Sequence, residues 1–582
     1  MFFESISWYD MEKKKISRIL EEIGLMLELK GENPFKVRAY VNGARIIELL
    51  EGDLKDYIKD GKIEGIKGIG NALSDKIVEL YETGKLEYYE ELKSSIPAGI
   101  FDILKIPGIG PKKAKSLYEK LDIKSIGELE YACKENRLVS LDGFGEKTQR
   151  KILKGIQELK KYSGLFLYAY VNPIAEEIKK ILTASSLVTK CEIAGSLRRK
   201  KEVVKDIDII ASSMEPMKLM DFFTGLDQIE EIISKGETKT SVRLKAGMMM
   251  DLRVVKEEQF PYALHHFTGS KEHNTALRHR AKKINIKINE YGLFKGDELI
   301  YCKDEHSIFN ALGLNFIPPE LRENMGEIEA AESGKLPDLI EYEDIKGLLH
   351  IHTTYSDGSL SVTGMAEAAK QMGFSYIGIS DHSRSAFYAN GLKEDDIKRQ
   401  IEEIDEYNLR SKDFKILKGI ESDILPDGSL DYDDDILSLF DFVIASIHSN
   451  MNMDKEKMTD RLINALNNRY TTILGHMTAR ILLAREACDM DVYKIIDTAV
   501  KNNKIIEINS DPQRLDLDWR YIKYAKDKGA KFAINPDAHS IEGLNNIIFG
   551  IGIARKGWLE AKDVVNCMNL VELGDFIGKQ TK

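Results

Sequence analysis

Cysteine is scarce in this sequence. Its 582 residues hold five, at Cys133, Cys191, Cys302, Cys488 and Cys567, and no two form a Cys-x-x-Cys pair. That spacing excludes a disulfide-stapled secreted scaffold and a cysteine-ligated zinc knuckle, and it fits a reducing compartment. Long apolar runs are missing too: none approaches the roughly 18 residues of a bilayer span, and no signal-peptide pattern opens the chain. A soluble cytoplasmic protein with no membrane partner is expected. Histidine does not occur before His265, and the six histidines beyond residue 343 all fall in short motifs. Positive charge is in overall deficit, with a net −11, but unevenly. Residues 1–318 sum to roughly +3, residues 319–342 to roughly −5 and residues 343–582 to roughly −9. A mildly basic half that suits a polyanion is thus joined to an acidic, histidine-bearing half. The length excludes a single core and predicts about three to five domains.

The most informative stretch is Cys191-Glu-Ile-Ala-Gly-Ser-Leu-Arg-Arg-Lys-Lys-Glu-Val-Val-Lys-Asp-Ile-Asp-Ile-Ile210. It reads as strand, glycine turn, loop, strand. Asp206 and Asp208 stand two apart in an apolar run, so on a strand both carboxylates face one way while Ile207 and Ile209 face the core. Two carboxylates on one strand face repel unless a cation lies between them, and Mg2+ or Mn2+ with oxygen ligands is the usual occupant. Gly195-Ser196 permits close backbone approach and adds a hydroxyl, while Arg198 and Arg199 offer forks for phosphate. A lone acid, Asp251, sits in the apolar run Met248–Val255. Three acids on strands behind a Gly-Ser turn predict a two-metal phosphoryl- or nucleotidyl-transfer site.

Upstream, Ile16, Leu20, Ile23, Met26 and Leu27 recur at helical spacing, and Asn33-Pro34 breaks the chain before a second helix from Phe35 to Leu50. Three pieces then repeat one frame, apolar-x-Gly-apolar-Gly before an amphipathic helix. They carry Gly68 and Gly70, Gly108 and Gly110 (within Ile106-Pro-Gly-Ile-Gly-Pro111), and Gly143 and Gly145. Such turns aim backbone amides near a helix N-terminus at a phosphate, which predicts helix-hairpin-helix motifs gripping a nucleic-acid backbone without reading sequence. Strand candidates follow at Leu165–Val171, Glu192–Ala194, Asp206–Ala211 and Met248–Val255. Next, a Thr268-Gly269-Ser270 turn leads into a helix on which Asn274 and Arg278 lie four apart, on one face.

With Gly195-Ser196-Leu-Arg-Arg199, Asp206-x-Asp208, Asp251 and His266-Phe-Thr-Gly-Ser-(x)3-Asn-(x)3-Arg278 in this order, residues 1–318 resemble a family X DNA polymerase, the polymerase beta relatives. The resemblance implies that Asp206 and Asp208 bind both metals of a Mg2+ or Mn2+ pair, and that Asp251 binds the catalytic metal and activates the primer hydroxyl. It implies that Gly195, Ser196 and Arg199 hold the triphosphate, that Phe267 and Gly269 pack on the sugar, and that Asn274 and Arg278 touch the nascent pair and template. The sequence departs from the family at Lys205, where relatives have glycine, and at His266, where they have another aromatic residue. Lys76 matches the lysine with which relatives remove deoxyribose phosphate, but without clearly matching basic neighbours, so a helix-surface lysine is the preferred reading.

Residues 319–342 read as an acidic linker with prolines at its ends. Beyond them apolar strands alternate with helices, an α/β pattern, and metal-capable residues stand where strands end: His350, His352, Asp357, His382, Glu421, His448, His476, Asp537 and His539. In a barrel the strand C-termini converge on one mouth, where nine N/O ligands would meet. This half resembles the polymerase-and-histidinol-phosphatase (PHP) domain, which implies phosphoester hydrolysis with up to three Mn2+, Zn2+ or Fe2+ ions. It also suggests substrate-phosphate contacts from Arg480 and the Asn509–Asp516 segment. The two halves together look like a bacterial or archaeal family X polymerase carrying a PHP nuclease.

The expected architecture is multidomain, α+β and α/β. It comprises an N-terminal helical domain with a helix-hairpin-helix (1–90), a second helix-hairpin-helix domain (91–160), a nucleotidyltransferase palm (161–259), a thumb (260–318), the linker (319–342) and a distorted (β/α) PHP barrel (343–575). The expected function is a monomeric repair polymerase that fills short gaps in DNA from dNTPs and trims 3′ ends, with cutting at abasic sites as a further family trait. Two rival readings are a histidinol-phosphatase-like phosphoesterase with a degenerate polymerase half, and a nucleic-acid scaffold with structural metals. Intact Asp206, Asp208 and Asp251 argue against the first, and nine N/O ligands without cysteine against the second.

Overall fold

The apolar repeat from Ile16 to Leu27 becomes the buried face of the helix Trp8–Lys30. Asn33 accepts a hydrogen bond from the Phe35 amide at 2.9 Å, and the next helix starts at Pro34, where the missing N–H costs nothing. The computed structural model describes residues 8–578 apart from positions 49, 51–53, 60, 107, 139, 140 and 161–163. Pro107 of the second glycine hairpin and the expected start of the palm at 161 therefore lie outside the described residues. The chain divides into two units, Met1–Lys134 with Leu138–Gln157, and Glu135–Arg137 with Glu158–Lys582. Among the described residues no helix is long and apolar enough to cross a membrane.

The first unit is helical. In it the three glycine frames fold alike: the Ile69, Ile109 and Phe144 amides close on the Ile66, Ile106 and Leu141 carbonyls at 2.9, 3.1 and 3.1 Å. The helices Asn71–Thr83, Pro111–Leu121 and Glu146–Lys160 follow these turns. The first glycine of each frame has positive φ (103°, 89° and 83°), which a side chain would strain.

The second unit holds two main sheets. A five-stranded sheet consists of β1 (Lys190–Ile193), β2 (Asp206–Ser212), β3 (Ile229–Lys235), β4 (Lys239–Leu244) and β5 (Met249–Val255), in spatial order β1-β2-β5-β4-β3. Only the β2–β5 pair is parallel. Leu165–Val171, expected as a strand, pairs only through Phe166–Leu167. A helix, Tyr168–Ala184, takes over because Val171, Ala175, Ile178 and Leu182 share one buried face at helical spacing.

Seven parallel strands follow in sequential order: β6 (Gly347–Ile351), β7 (Tyr376–Ile379), β8 (Lys415–Asp423), β9 (Phe442–Ser446), β10 (Ile473–Leu474), β11 (Ile505–Asn509) and β12 (Lys531–Asn535). A parallel bridge from Ile351 to Ala538 brings β6 toward the end of β12, so the sheet is a nearly closed barrel. The fold class read from the sequence is therefore present.

The expected linker is folded, a correction to the sequence reading. It contains a helix, Glu327–Glu332, and buries Leu321, Ile328, Ala331 and Leu339 in a core shared with Leu277, Phe309 and Trp558. Its acidity serves internal partners. Glu320 pairs with Arg555 at 2.9 Å, Glu323 with Lys556 at 2.8 Å, and Glu327 with His273 at 2.7 Å.

Candidate active sites

The β2–β5 register sets Asp208 directly opposite Asp251, with Asp206 two residues before Asp208. All three carboxylates thus lie on one face, while Ile207 and Ile209 are fully buried behind them. Burial first, and then the neighbouring Asp206 and Asp251, push the Asp208 carboxyl up to about 6. Asp206 is raised for the same reasons, burial first and then Asp251. Asp251 accepts from the Ser241 hydroxyl at 2.6 Å and pairs with Lys239 at 2.7 Å. Lys205, Lys239 and Arg253 all draw these carboxyls down, yet Asp206 and Asp208 stay raised, so an oxygen-ligand divalent ion fits the cluster.

The turn before β2 is built against these acids. Gly195 has φ +64°, and a Cβ there would sit 2.4 Å from Asp208 Oδ2. Ser196 follows in the short helix Gly195–Arg198. The two arginine forks expected to be free for phosphate are engaged within the protein. Arg198 donates to Thr268 Oγ1 and pairs with Glu305, both at 2.6 Å. Arg199 donates to the Thr268 carbonyl and pairs with Glu323 at 3.0 Å. Gly269 lies against Arg199, since a Cβ on it would be 2.9 Å from Nη1. The Phe267 ring lies 4.1 Å from the Arg253 guanidinium, which in turn acts on Asp208. Asn274 donates to the His266 carbonyl at 2.7 Å and Arg278 to the Asn274 carbonyl at 3.2 Å.

At the barrel mouth all nine expected residues come together. Four sets, each with ligand atoms within 4.8 Å of one another, are His352–Asp357–His382–His539, His350–His476–Asp537, His350–His352–Glu421 and His382–Glu421–His448. Glu421 belongs to two of them and also meets His476 at 3.0 Å. Burial disfavours its charge, but His448, His350 and His382 hold it well below the usual carboxylate range. His352 is held down to about 4 by burial and by the imidazoles of His539 and His382. His350 Nε2, both nitrogens of His352, Asp357 Oδ2, Glu421 Oε2 and His539 Nε2 are buried without hydrogen bonds. Buried polar atoms left this way are costly, and an imidazole and carboxylate set of this kind fits Mn2+, Zn2+ or Fe2+.

Four helix-hairpin-helix, thumb and PHP matches align with these parts. Residues 11–86 match the family described as Helix-hairpin-helix domain, and 100–158 the SAM-like Helix-hairpin-helix tandem. Residues 263–323 match DNA polymerase beta thumb, and 349–511 match PHP domain. The chain is 40% identical over 571 residues to the "DNA polymerase/3'-5' exonuclease PolX" of Bacillus subtilis (strain 168), covering 97% of this chain and 99% of that one. The chain belongs to the PolX family, the family X DNA polymerases with a C-terminal PHP domain. Shorter relatives echo each half. The "Repair DNA polymerase X" of African swine fever virus (isolate Pig/Kenya/KEN-50/1950) is 31% identical over 137 residues, covering 22% of this chain and 78% of that protein. A probable phosphatase of Thermoanaerobacter sp. (strain X514) is 31% identical over 207 residues, covering 33% of this chain and 77% of that protein.

Beyond the PolX motifs, the structure adds residues that the sequence reading passed over. Glu507 on β11 binds His350 Nδ1 at 2.6 Å and accepts from the His476 amide at 2.7 Å. Asp423 binds His448 Nδ1, and Asp381 receives Thr353, Ser356 and Gln400. An acid inside an apolar strand run, the signal that marked Asp251, also marks Glu507 in Ile505-Ile-Glu-Ile. Arg480 is corrected from phosphate binder to brace: it donates to the Arg514 and Leu515 carbonyls and pairs with Asp518 at 2.6 Å. The Lys76 ammonium lies 5.1 Å from the Tyr88 ring and 3.5 Å from the Ala72 carbonyl.

Proposed function

We infer that this chain is a DNA polymerase that also shortens DNA from the 3′ end, one activity in each half of its second unit. The observation carrying this is that one chain holds two separate clusters of metal-capable side chains on different strands, the β2–β5 carboxylates and the nine-residue barrel mouth. In the palm, Asp206, Asp208 and Asp251 would hold Mg2+ or Mn2+. In the barrel, His350, His352, Asp357, His382, Glu421, His448, His476, Asp537 and His539 would hold up to three Mn2+, Zn2+ or Fe2+ ions, Glu421 serving two of the ligand sets. The metals, when bound, neutralise phosphate oxygens and acidify water. Asp251 takes the proton of the primer 3′ hydroxyl, whose oxygen attacks the α-phosphorus of a dNTP and expels pyrophosphate. Gly195 and Ser196 seat the triphosphate, with Arg199 turning from Glu323 toward it. Phe267 and Gly269 wall the sugar, and Asn274 and Arg278 face the nascent pair. In the barrel, water attacks the terminal phosphodiester and releases a nucleoside 5′-monophosphate and a new 3′ hydroxyl.

Gly68, Gly70, Gly108, Gly110, Gly143 and Gly145 line the backbone grip of the first unit. Lys76, resting on Tyr88, is a helix-surface lysine in this reading and not a lyase nucleophile. The five free cysteines support a cytoplasmic setting, where the chain works as a monomer on gapped or primed DNA in repair. The test is a labelled gapped DNA incubated with Mn2+, with and without dNTPs. Extension with dNTPs and shortening without them is the expected result. Neither change, with hydrolysis of a small phosphate monoester instead, would contradict it.

A further inference from the structure

The loop that leaves His382 is fastened along its length. The Ser383 amide donates to the Glu421 carbonyl at 2.9 Å, and the Leu392 amide returns to the His382 carbonyl at 2.9 Å. Between them the Arg384 amide donates to the Tyr432 hydroxyl at 3.0 Å, and the Ser385 amide to Asp431 at 2.6 Å. Asp431 and Tyr432 are themselves buried. Gly391 closes the loop so tightly that an added Cβ would lie 1.8 Å from the Ser383 carbonyl oxygen. Yet this rigid loop presents Phe387 at its tip with 86% of the residue exposed. Arg384, half-exposed, rests 5.3 Å from the Tyr432 ring with Nε 3.5 Å from Asp431. From His382 to Phe387 the backbone spans at most about 17 Å even if fully extended, and here it folds back on itself.

Disorder does not explain the exposure, since every turn of the loop is bonded, and none of these bonds involves the Phe387 ring. We propose that Phe387 and Arg384 hold the unpaired 3′-terminal nucleotides of a DNA strand entering the barrel mouth, Phe387 by stacking on a base and Arg384 by its charge on a neighbouring phosphate. A buried ligand set at the mouth admits a strand end only after that end has left its duplex, and the freed base has lost its stacking neighbour. An aromatic face replaces that neighbour for any base, so trimming stays indifferent to sequence. An arginine fork matches phosphate geometry and adds grip without reading bases. The assignment rests on the barrel being the 3′-shortening site.

The experiment uses the full chain loaded with Mn2+ and two single-stranded oligonucleotides, one ending in an ordinary 3′ nucleotide and one in an abasic 3′ residue. Phe387→Ala is expected to raise KM for shortening about tenfold, equal to about 1.4 kcal/mol, on the ordinary end and to leave the abasic end unchanged. Phe387→Trp restores the first value. Arg384→Ala raises KM on both ends, because the phosphates remain. Bound metal and gap extension stay at the unsubstituted level in all three variants. A Phe387→Ala KM that is unchanged on both ends, or raised equally on both, overturns the proposal. If the unsubstituted chain shortens neither oligonucleotide, the barrel assignment fails and takes this proposal with it.

Discussion

Replacing Gly195 by alanine tests how the palm acids are held. The added methyl would stand 2.4 Å from Asp208 Oδ2, whereas ordinary contact begins near 3.4 Å, so the carboxylate or the turn must give by about 1 Å. The backbone cost is small: an alanine at φ +64° is strained by about 1–2 kcal/mol, which a chain of this size tolerates. The catalytic cost is large, because a misplacement of about 1 Å among reacting groups lowers a rate on the order of 100-fold. Single-nucleotide incorporation into a one-nucleotide gap with Mg2+ should therefore fall about 100-fold. Shortening of a 3′ end by the same preparation should stay within about twofold, since Glu421 and its histidines lie on other strands. Incorporation within about threefold of the unsubstituted chain would refute the reasoning, by showing that the contact between Gly195 and Asp208 does not govern the site.

Glu507→Gln should weaken metal binding at the barrel mouth by about 10- to 100-fold, because Glu507 fixes His350 through Nδ1; titration of the metal-stripped protein with Mn2+ measures it, and unchanged affinity would make Glu507 a packing residue. The Asp208 carboxyl, raised to about 6 by burial and by its two neighbouring acids, predicts that Mg2+ affinity at the palm falls as pH drops below about 6, where a proton competes for the carboxylate. The sign for stability is opposite: without metal, the contribution of Asp208 is present below the ordinary carboxylate pKa of about 4 and is lost as pH rises through about 6. Metal titration and metal-free denaturation across that window check both halves of the statement. Valine at Gly108 and Gly110 should weaken binding to gapped DNA, and the affinity of the unsubstituted chain should fall steeply with salt and vary little with sequence; an unchanged dissociation constant in a folded variant would assign those hairpins to internal packing.

Much of this was legible because period and chemistry coincide. Asp206, Ile207, Asp208 and Ile209 alternate with a strand's period, so the face of each side chain followed from the sequence. Eight of the nine mouth residues were legible because each stands within four residues of a strand end, and Asp357 because it follows His350 and His352 in the same short motif. What was not legible depends on tertiary partners. Nothing in residues 319–342 announces that Glu320, Glu323 and Glu327 answer Arg555, Lys556 and His273 across long stretches of chain, so their acidity read as a solvated linker. Arg198 and Arg199 read as free forks because an arginine in a basic loop has the same sequence signature whether or not a carboxylate already holds it, and the carbonyls that take up Arg480 lie more than thirty residues further along the chain. Leu165–Val171 misled by composition: bulky apolar residues favour a strand locally, but the helical spacing of Val171, Ala175, Ile178 and Leu182 decided the matter.

The central claim is that two chemistries run on two ligand sets. Asp251→Ala and His350→Ala should therefore be assayed side by side on one labelled gapped DNA with Mn2+, with bound metal measured for each protein. Asp251→Ala is predicted to lose extension and keep 3′ shortening. His350→Ala is predicted to lose barrel metal and shortening together while still extending the primer, to longer products for want of trimming. Loss of both activities in either protein, with its fold and remaining metal intact, would contradict the division.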